Sequence, residues 1–243
     1  MAQKRPDAIN YLTGRLSDRT RPPGIELPNC GGKFNPDGAV QNWPGNTFIC
    51  HVDRRSAAFE AIRELQEEVK KSVFNRFFTF LPPPSFHMTV YQGLAPGMTT
   101  GAGWPADLPE ELSRDEITSD LLKRLASLQP PSSYRVKVDG LYCGYSLTMT
   151  GADAHQEAAL RQTRTALRDA TGIVFADFHD YVFHITMAYL VDWLSEKTAR
   201  ELVAFSAELE SRYKSAIGEI ELGAVEFCNF DTMHHFEPVK TLG

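Results

Sequence analysis

Two stretches of this 243-residue chain place an imidazole and a hydroxyl two positions apart. Residues 85–93 read SFHMTVYQG, and residues 181–190 read YVFHITMAYL. In an extended chain, successive side chains point to opposite faces. His87, Thr89 and Tyr91 therefore share one face of the first stretch, with Phe86, Met88 and Val90 on the other. In the second stretch His184 and Thr186 share a face, and Phe183, Ile185, Met187 and Tyr189 line the opposite one. Imidazole titrates near neutral pH, so two of them can be held as one neutral base and one protonated acid. A hydroxyl two residues along can donate to an oxygen on which negative charge builds.

A single His-x-Ser/Thr is expected by chance among seven histidines, and a lone strand histidine is more often a half-buried structural residue. The longer pattern Phe-His-apolar-Thr-apolar is rarer. Here it occurs twice, 97 positions apart (184 − 87), once in each half of the chain. That recurrence favours a functional pair.

The elements that must carry the pair follow from periodicity. TFICHV (47–52) reads as a strand. Phe59, Ile62, Leu65 and Val69 recur at helical spacing within 56–74. A loop region rich in Gly, Pro and Thr (93–109) and a short helix near 117–128 complete the first half. Residues 134–151 read as two strands about a glycine-containing bend, 155–172 as a helix closed by Gly172, and 181–190 as one strand. A helix capped by Ser195 spans 195–214, and further strands end the chain. Two similar halves of mixed helix and strand predict an α+β protein of two pseudo-symmetric lobes. Residues 1–46, rich in Pro, Gly and Asn, form a wrapping segment with a hairpin at the NPDG turn (35–38), ahead of one bilobal domain over 47–243.

Composition removes several function classes. The 25 basic residues are outnumbered by 31 acidic ones, so no surplus exists to hold a long nucleic-acid tract by its phosphates. No apolar run has the length of a signal peptide or membrane span, which predicts a cytoplasmic protein without membrane contact. Cys30, Cys50, Cys143 and Cys228 show no CxxC spacing, so neither zinc nor a disulfide framework is indicated. His51 and His179 read as structural and His155 as solvent-facing. Adjacent side chains in a strand point apart, so His234 and His235 do not form a shared metal site. No metal or cofactor is expected.

The paired motifs resemble those of the two-histidine (2H) phosphoesterase superfamily, which includes the LigT-like RNA ligases and cyclic phosphodiesterases. The resemblance covers roughly residues 47–235. GGKFNPDG and PGNTFICHV are most similar to a bacterial and fungal branch with no assigned function. Membership implies antiparallel strands with helices packed outside, a central cleft between two lobes, and one motif strand from each lobe facing it. It implies that His87 and His184 are the catalytic pair, with Thr89 and Thr186 beside them binding phosphate. Opening a 2′,3′-cyclic phosphate fits this set independently. A base must deprotonate water and an acid must protonate the departing ribose oxygen, from opposite sides of the phosphorus. Tyr91, on the His87 face, and Lys33, if its hairpin folds over the cleft, are further candidate substrate contacts.

The expected activity is hydrolysis of a 2′,3′-cyclic phosphate or 2′–5′ phosphodiester in a nucleotide or short RNA, by a monomer without metal. End-joining of RNA by the reverse reaction and a non-catalytic nucleotide-binding module are the alternatives. The acidic balance argues against the first, and two intact motifs argue against the second.

Overall fold

The computed structural model describes residues 5–243. A five-residue helix, α1 (Ala8–Leu12), precedes β1 (Gly45–His51), α2 (Ala57–Lys71), β2 (Phe78–Phe80), β3 (His87–Gln92) and α3 (Arg114–Arg124). The second half contains β4 (Ser133–Tyr142), β5 (Ser146–Gly151), α4 (Ala154–Thr171), β6 (His184–Thr186), β7 (Ala188–Leu190) and α5 (Glu196–Ile217). The chain closes with β8 (Glu219–Gly223), β9 (Val225–Thr232) and β10 (His235–Leu242). Local chemistry sets the helix ends. Ser56, Asp153 and Ser195 each accept a hydrogen bond from a backbone N–H three residues on, and Ser113 with Glu116 forms a capping box. Gly172 ends α4 at φ +73°, a left-handed conformation that suits glycine.

Eight strands form one antiparallel sheet in the order β10-β9-β1-β3-β6-β5-β4-β8. Each lobe supplies four neighbours, and the lobes meet where β3 pairs with β6 through Met88 and Ile185. Only Ala224 separates β8, at one edge, from β9, in the other half. That link requires the sheet to curl. Its convex face packs against helices: Phe48, Tyr91, Val90 and Phe183 are fully buried, with Leu160 and Leu167 of α4 among them.

The second motif stretch departs from the single strand expected over 181–190. β6 ends at Thr186, and β7 pairs with β2 in a separate two-stranded sheet. The break lies at Met187, whose carbonyl accepts from Leu81 N and from the buried Gln66 amide at 2.8 Å. Those partners draw the backbone out of the main sheet, so the alternation does not continue through Tyr189.

The described part of the N-terminal segment is ordered around the domain. Asn35 and Gly38 close the NPDG turn, with Gly38 at φ +86°. Phe34 bridges both Val40 and Ile25. Leu12, Ile25 and Phe34 are wholly buried. Helix α1 has no counterpart in the sequence reading, since five residues are too few to show a period. Residues 1–4 of the expected 1–46 segment lie outside the described residues. No helix among the described residues is long and apolar enough to cross a membrane.

Candidate active site

The antiparallel register through Met88 and Ile185 sets His87 across from Thr186 and Thr89 across from His184. A pseudo-twofold axis thus relates the two His-x-Thr motifs. The histidines occupy diagonal positions on neighbouring strands, roughly 7–8 Å apart at Cα. All four side chains line one cavity of about 310 Å³, within the range of small-molecule sites.

Each imidazole is held in the same way. His87 Nδ1–H donates to the Ser85 carbonyl at 2.7 Å, and His184 Nδ1–H donates to the Val182 carbonyl at 2.8 Å. A carbonyl only accepts, so Nδ1 carries the proton in both rings and Nε2 is left to exchange one. The His87 ring also packs edge-on against Phe236 with centroids 4.3 Å apart. Burial pushes His87 down to about 3, and the charges of His51, His184 and Lys33 add to the effect. Burial likewise takes His184 to about 4, with the Arg5 guanidinium next and Lys33 after it. Both rings are therefore neutral at pH 7. Neither Thr89 nor Thr186 commits its hydroxyl to a hydrogen bond among the described residues, and both face the cavity.

Tyr91 does not join them. The β1–β3 register skips Val90, so that Phe48 faces Tyr91 while Ile49 faces Thr89. This bulge reverses the alternation. Tyr91 turns into the core, where its hydroxyl donates to the Ile173 carbonyl at 2.5 Å. The Val90 carbonyl accepts from Arg164 of α4 at 2.6 Å. Gln92 takes the cavity position instead, and its Oε1 is buried without a partner among the described residues.

Lys33 does reach the cleft. Its ammonium lies 4.6 Å from the Trp43 ring centre and 5.3 Å from that of Tyr189, contacts in which a ring face attracts the cation. Trp43 stacks on Phe230, and both rings line the cavity with Tyr181 and Phe175. Periodicity could not nominate these aromatics. Trp43 lies in an aperiodic segment, Phe175 in a loop, and Tyr189 beyond the break at Met187.

His51 lies across from His87 on β1, with ring centroids 6.2 Å apart. Its Nδ1 bonds Glu226 at 2.5 Å. His51, Glu226 and Cys228 bring ligand-type atoms within 4.8 Å of one another. The imidazole and carboxylate already satisfy each other, and burial raises the Cys228 thiol, which disfavours the thiolate a metal needs. The cluster reads as a hydrogen-bonded support beside His87.

A curled antiparallel sheet with helices outside, and one motif strand from each half at its centre, defines a LigT-like fold. Residues 33–145 match the family model described as 2H-phosphodiest, a domain of unknown function (DUF1868). That match takes in the first His-x-Thr motif, and together with the fold it makes the chain similar to the two-histidine phosphoesterases. The crystal structure of the conserved protein of unknown function ATU0111 from Agrobacterium tumefaciens str. C58 aligns with a TM-score of 0.87 at 26% identity, covering 98% of this chain and 99% of that one. The structure of Kluyveromyces marxianus Usb1 aligns at a TM-score of 0.41 and 9% identity, over 82% of this chain and 99% of that one. That likeness is too remote to bear on function. A search of curated proteins found no match.

Proposed function

We propose that the protein hydrolyses a 2′,3′-cyclic phosphate or 2′–5′ phosphodiester of a nucleotide or short RNA, by paired-histidine acid/base catalysis and without a metal. The observation that carries this reading is the equivalent anchoring of His87 and His184, which leaves Nε2 of both to exchange a proton in one cavity. A bound phosphate anion favours the charged form of a nearby imidazole, so one histidine takes up a proton as substrate binds. The neutral ring then removes a proton from water as its oxygen forms the new bond to phosphorus. The protonated ring delivers its proton to the ribose oxygen as the P–O bond breaks. Thr89 and Thr186 donate to the non-bridging oxygens as charge builds there. Lys33 supplies a local cation to an otherwise acidic protein, and the Trp43 and Tyr189 rings offer faces for a base. The four free cysteines fit a reducing compartment, the cytoplasm, and the reading requires only a monomer.

Purified protein should release a phosphomonoester from 2′,3′-cyclic nucleotides or from 2′–5′-linked dinucleotides. EDTA should leave that turnover intact; activity lost to the chelator and restored by Mg²⁺ or Mn²⁺ would assign the charge stabilisation to a metal instead. Binding without turnover of any of these substrates would favour a nucleotide-binding module. Joining of RNA ends would favour the ligase.

A further inference from the structure

The reaction above leaves one guanidinium without a task. Arg5 Nε–H donates to Thr148 Oγ1 at 3.3 Å, and its Nη2–H donates to Ser146 Oγ at 3.0 Å. The guanidinium carbon lies 5.2 Å from the centre of the Tyr142 ring. Both hydroxyls are buried on β5, in register with the second motif: Ser146 pairs with Thr186, and Thr148 with His184. Directly opposed residues of neighbouring strands show their side chains to the same face, with the strands about 4.8 Å apart. Arg5 therefore spans the whole His184–Thr186 pair from one strand away.

A guanidinium has five N–H donors, and these bonds occupy two. No carboxylate among the described residues lies within ion-pair distance of Arg5. A half-buried cation without a counter-charge is costly to keep, and its influence on the cleft is visible in His184, which it pushes down after burial has done so. His87 shares the Lys33 ammonium with His184 but has no guanidinium in the place that matches Arg5. In register with it on β1 stands His51, whose imidazole already has Glu226. The pseudo-twofold symmetry of the motifs is thus broken in charge: Lys33 acts on both histidines, and Arg5 on His184 alone.

We propose that Arg5 is an anion-binding residue of the cleft, delivered by the N-terminal segment to grip the oxygens of a phosphoryl group seated at His184 and Thr186. The proposal rests on the phosphoryl-ligand reading of the cavity and adds a residue outside both motifs. Ser146 and Thr148 aim the fork, and the remaining donors match the geometry of a phosphate edge.

Inorganic phosphate is a sufficient probe. Calorimetric titration of the full chain should show an affinity that Arg5→Gln weakens about tenfold or more, as loss of a charge-assisted contact predicts. Arg5→Lys, which keeps the charge without the fork, should fall between. Thermal unfolding of the same samples confirms that each variant is folded. On a cyclic nucleotide that the wild-type protein turns over, Arg5→Gln should raise KM and leave kcat within about threefold, because the grip is the same before and during reaction. Wild-type phosphate affinity in a folded Arg5→Gln variant, or no phosphate binding by the wild-type protein, overturns the proposal. Phosphate binding that depends on Arg5, in a protein that turns over no cyclic nucleotide, sinks the proposed reaction and supports the anion site.

Discussion

At the scale of single residues, the two histidines owe their usefulness to what surrounds them. Their Nδ1–H groups are committed to carbonyls, so each ring has one orientation and one working nitrogen. Replacing either His87 or His184 with Ala should lower kcat by roughly 10²–10⁴-fold on a confirmed substrate. The double variant should lose far less than the product of the two, since one absence already disables the paired proton transfer. Steady-state kinetics on the three variants decides this, and multiplicative losses would mean that the rings act independently. Burial also makes a thermodynamic prediction. Both rings sit below the ordinary 6.5, at about 3 and about 4, so the unfolded chain takes up protons before the native one does. Their contribution is intact above about pH 6.5 and is lost as the pH falls toward the folded values. Urea titrations should therefore show the His87→Gln/His184→Gln protein losing less stability than wild type between about pH 7 and pH 5.

At the scale of elements, one extra residue in β3 decides which side chains belong to the cleft. The bulge at Val90 turns Tyr91 into the core, against the Ile173 carbonyl just beyond α4, and brings Gln92 to the cavity. Tyr91→Phe should accordingly cost about 1 kcal/mol of stability through its lost buried hydrogen bond, with kcat and KM unchanged. A raised KM in that variant would mean that the hydroxyl meets the ligand after all. The Val90 carbonyl, freed by the bulge from regular pairing, finds Arg164, whose buried guanidinium lies 4.0 Å from the Tyr181 ring centre. One side chain of α4 thus supports both the irregular strand and a wall of the cavity. At the other motif, the Gln66 amide holds the Met187 carbonyl and fixes where β6 gives way to β7.

At the scale of the whole molecule, the N-terminal segment is part of the cleft rather than an appendage to it. It anchors through wholly buried Leu12, Ile25 and Phe34, sets Lys33 and Trp43 in the lining of the cavity, and bonds Arg5 to Ser146 of β5. The Phe34 ring packs against Tyr189 with centroids 5.0 Å apart, next in sequence to Lys33. Phe34→Ala should cost about 3–5 kcal/mol by denaturant unfolding, and it should raise KM because Tyr189 and Lys33 lose their backing. An unchanged KM in the folded variant would show that the segment only stabilises. The curl of the sheet serves the same site. It brings two four-stranded halves to a single seam between β3 and β6, where the motifs meet.

The sequence by itself determined the first motif strand and the start of the second, four of the five helices with the Ser195 cap and the Gly172 stop, and the imidazole–hydroxyl pairs. Each of these is written in local terms: a period of two or of 3.6, a capping serine, a glycine at a helix end. Lys33 was legible as a charge in a turn-rich segment, though not as one held over two rings. Tertiary structure alone decided the rest. A bulge exists only relative to a partner strand, so the displacement of Tyr91 by Gln92 required β1 to be in place. The turn at Met187 depends on an amide 121 positions away in α2. Arg5 meets Ser146 and Thr148 across more than half the chain, and no local pattern records a contact made only when the sheet curls.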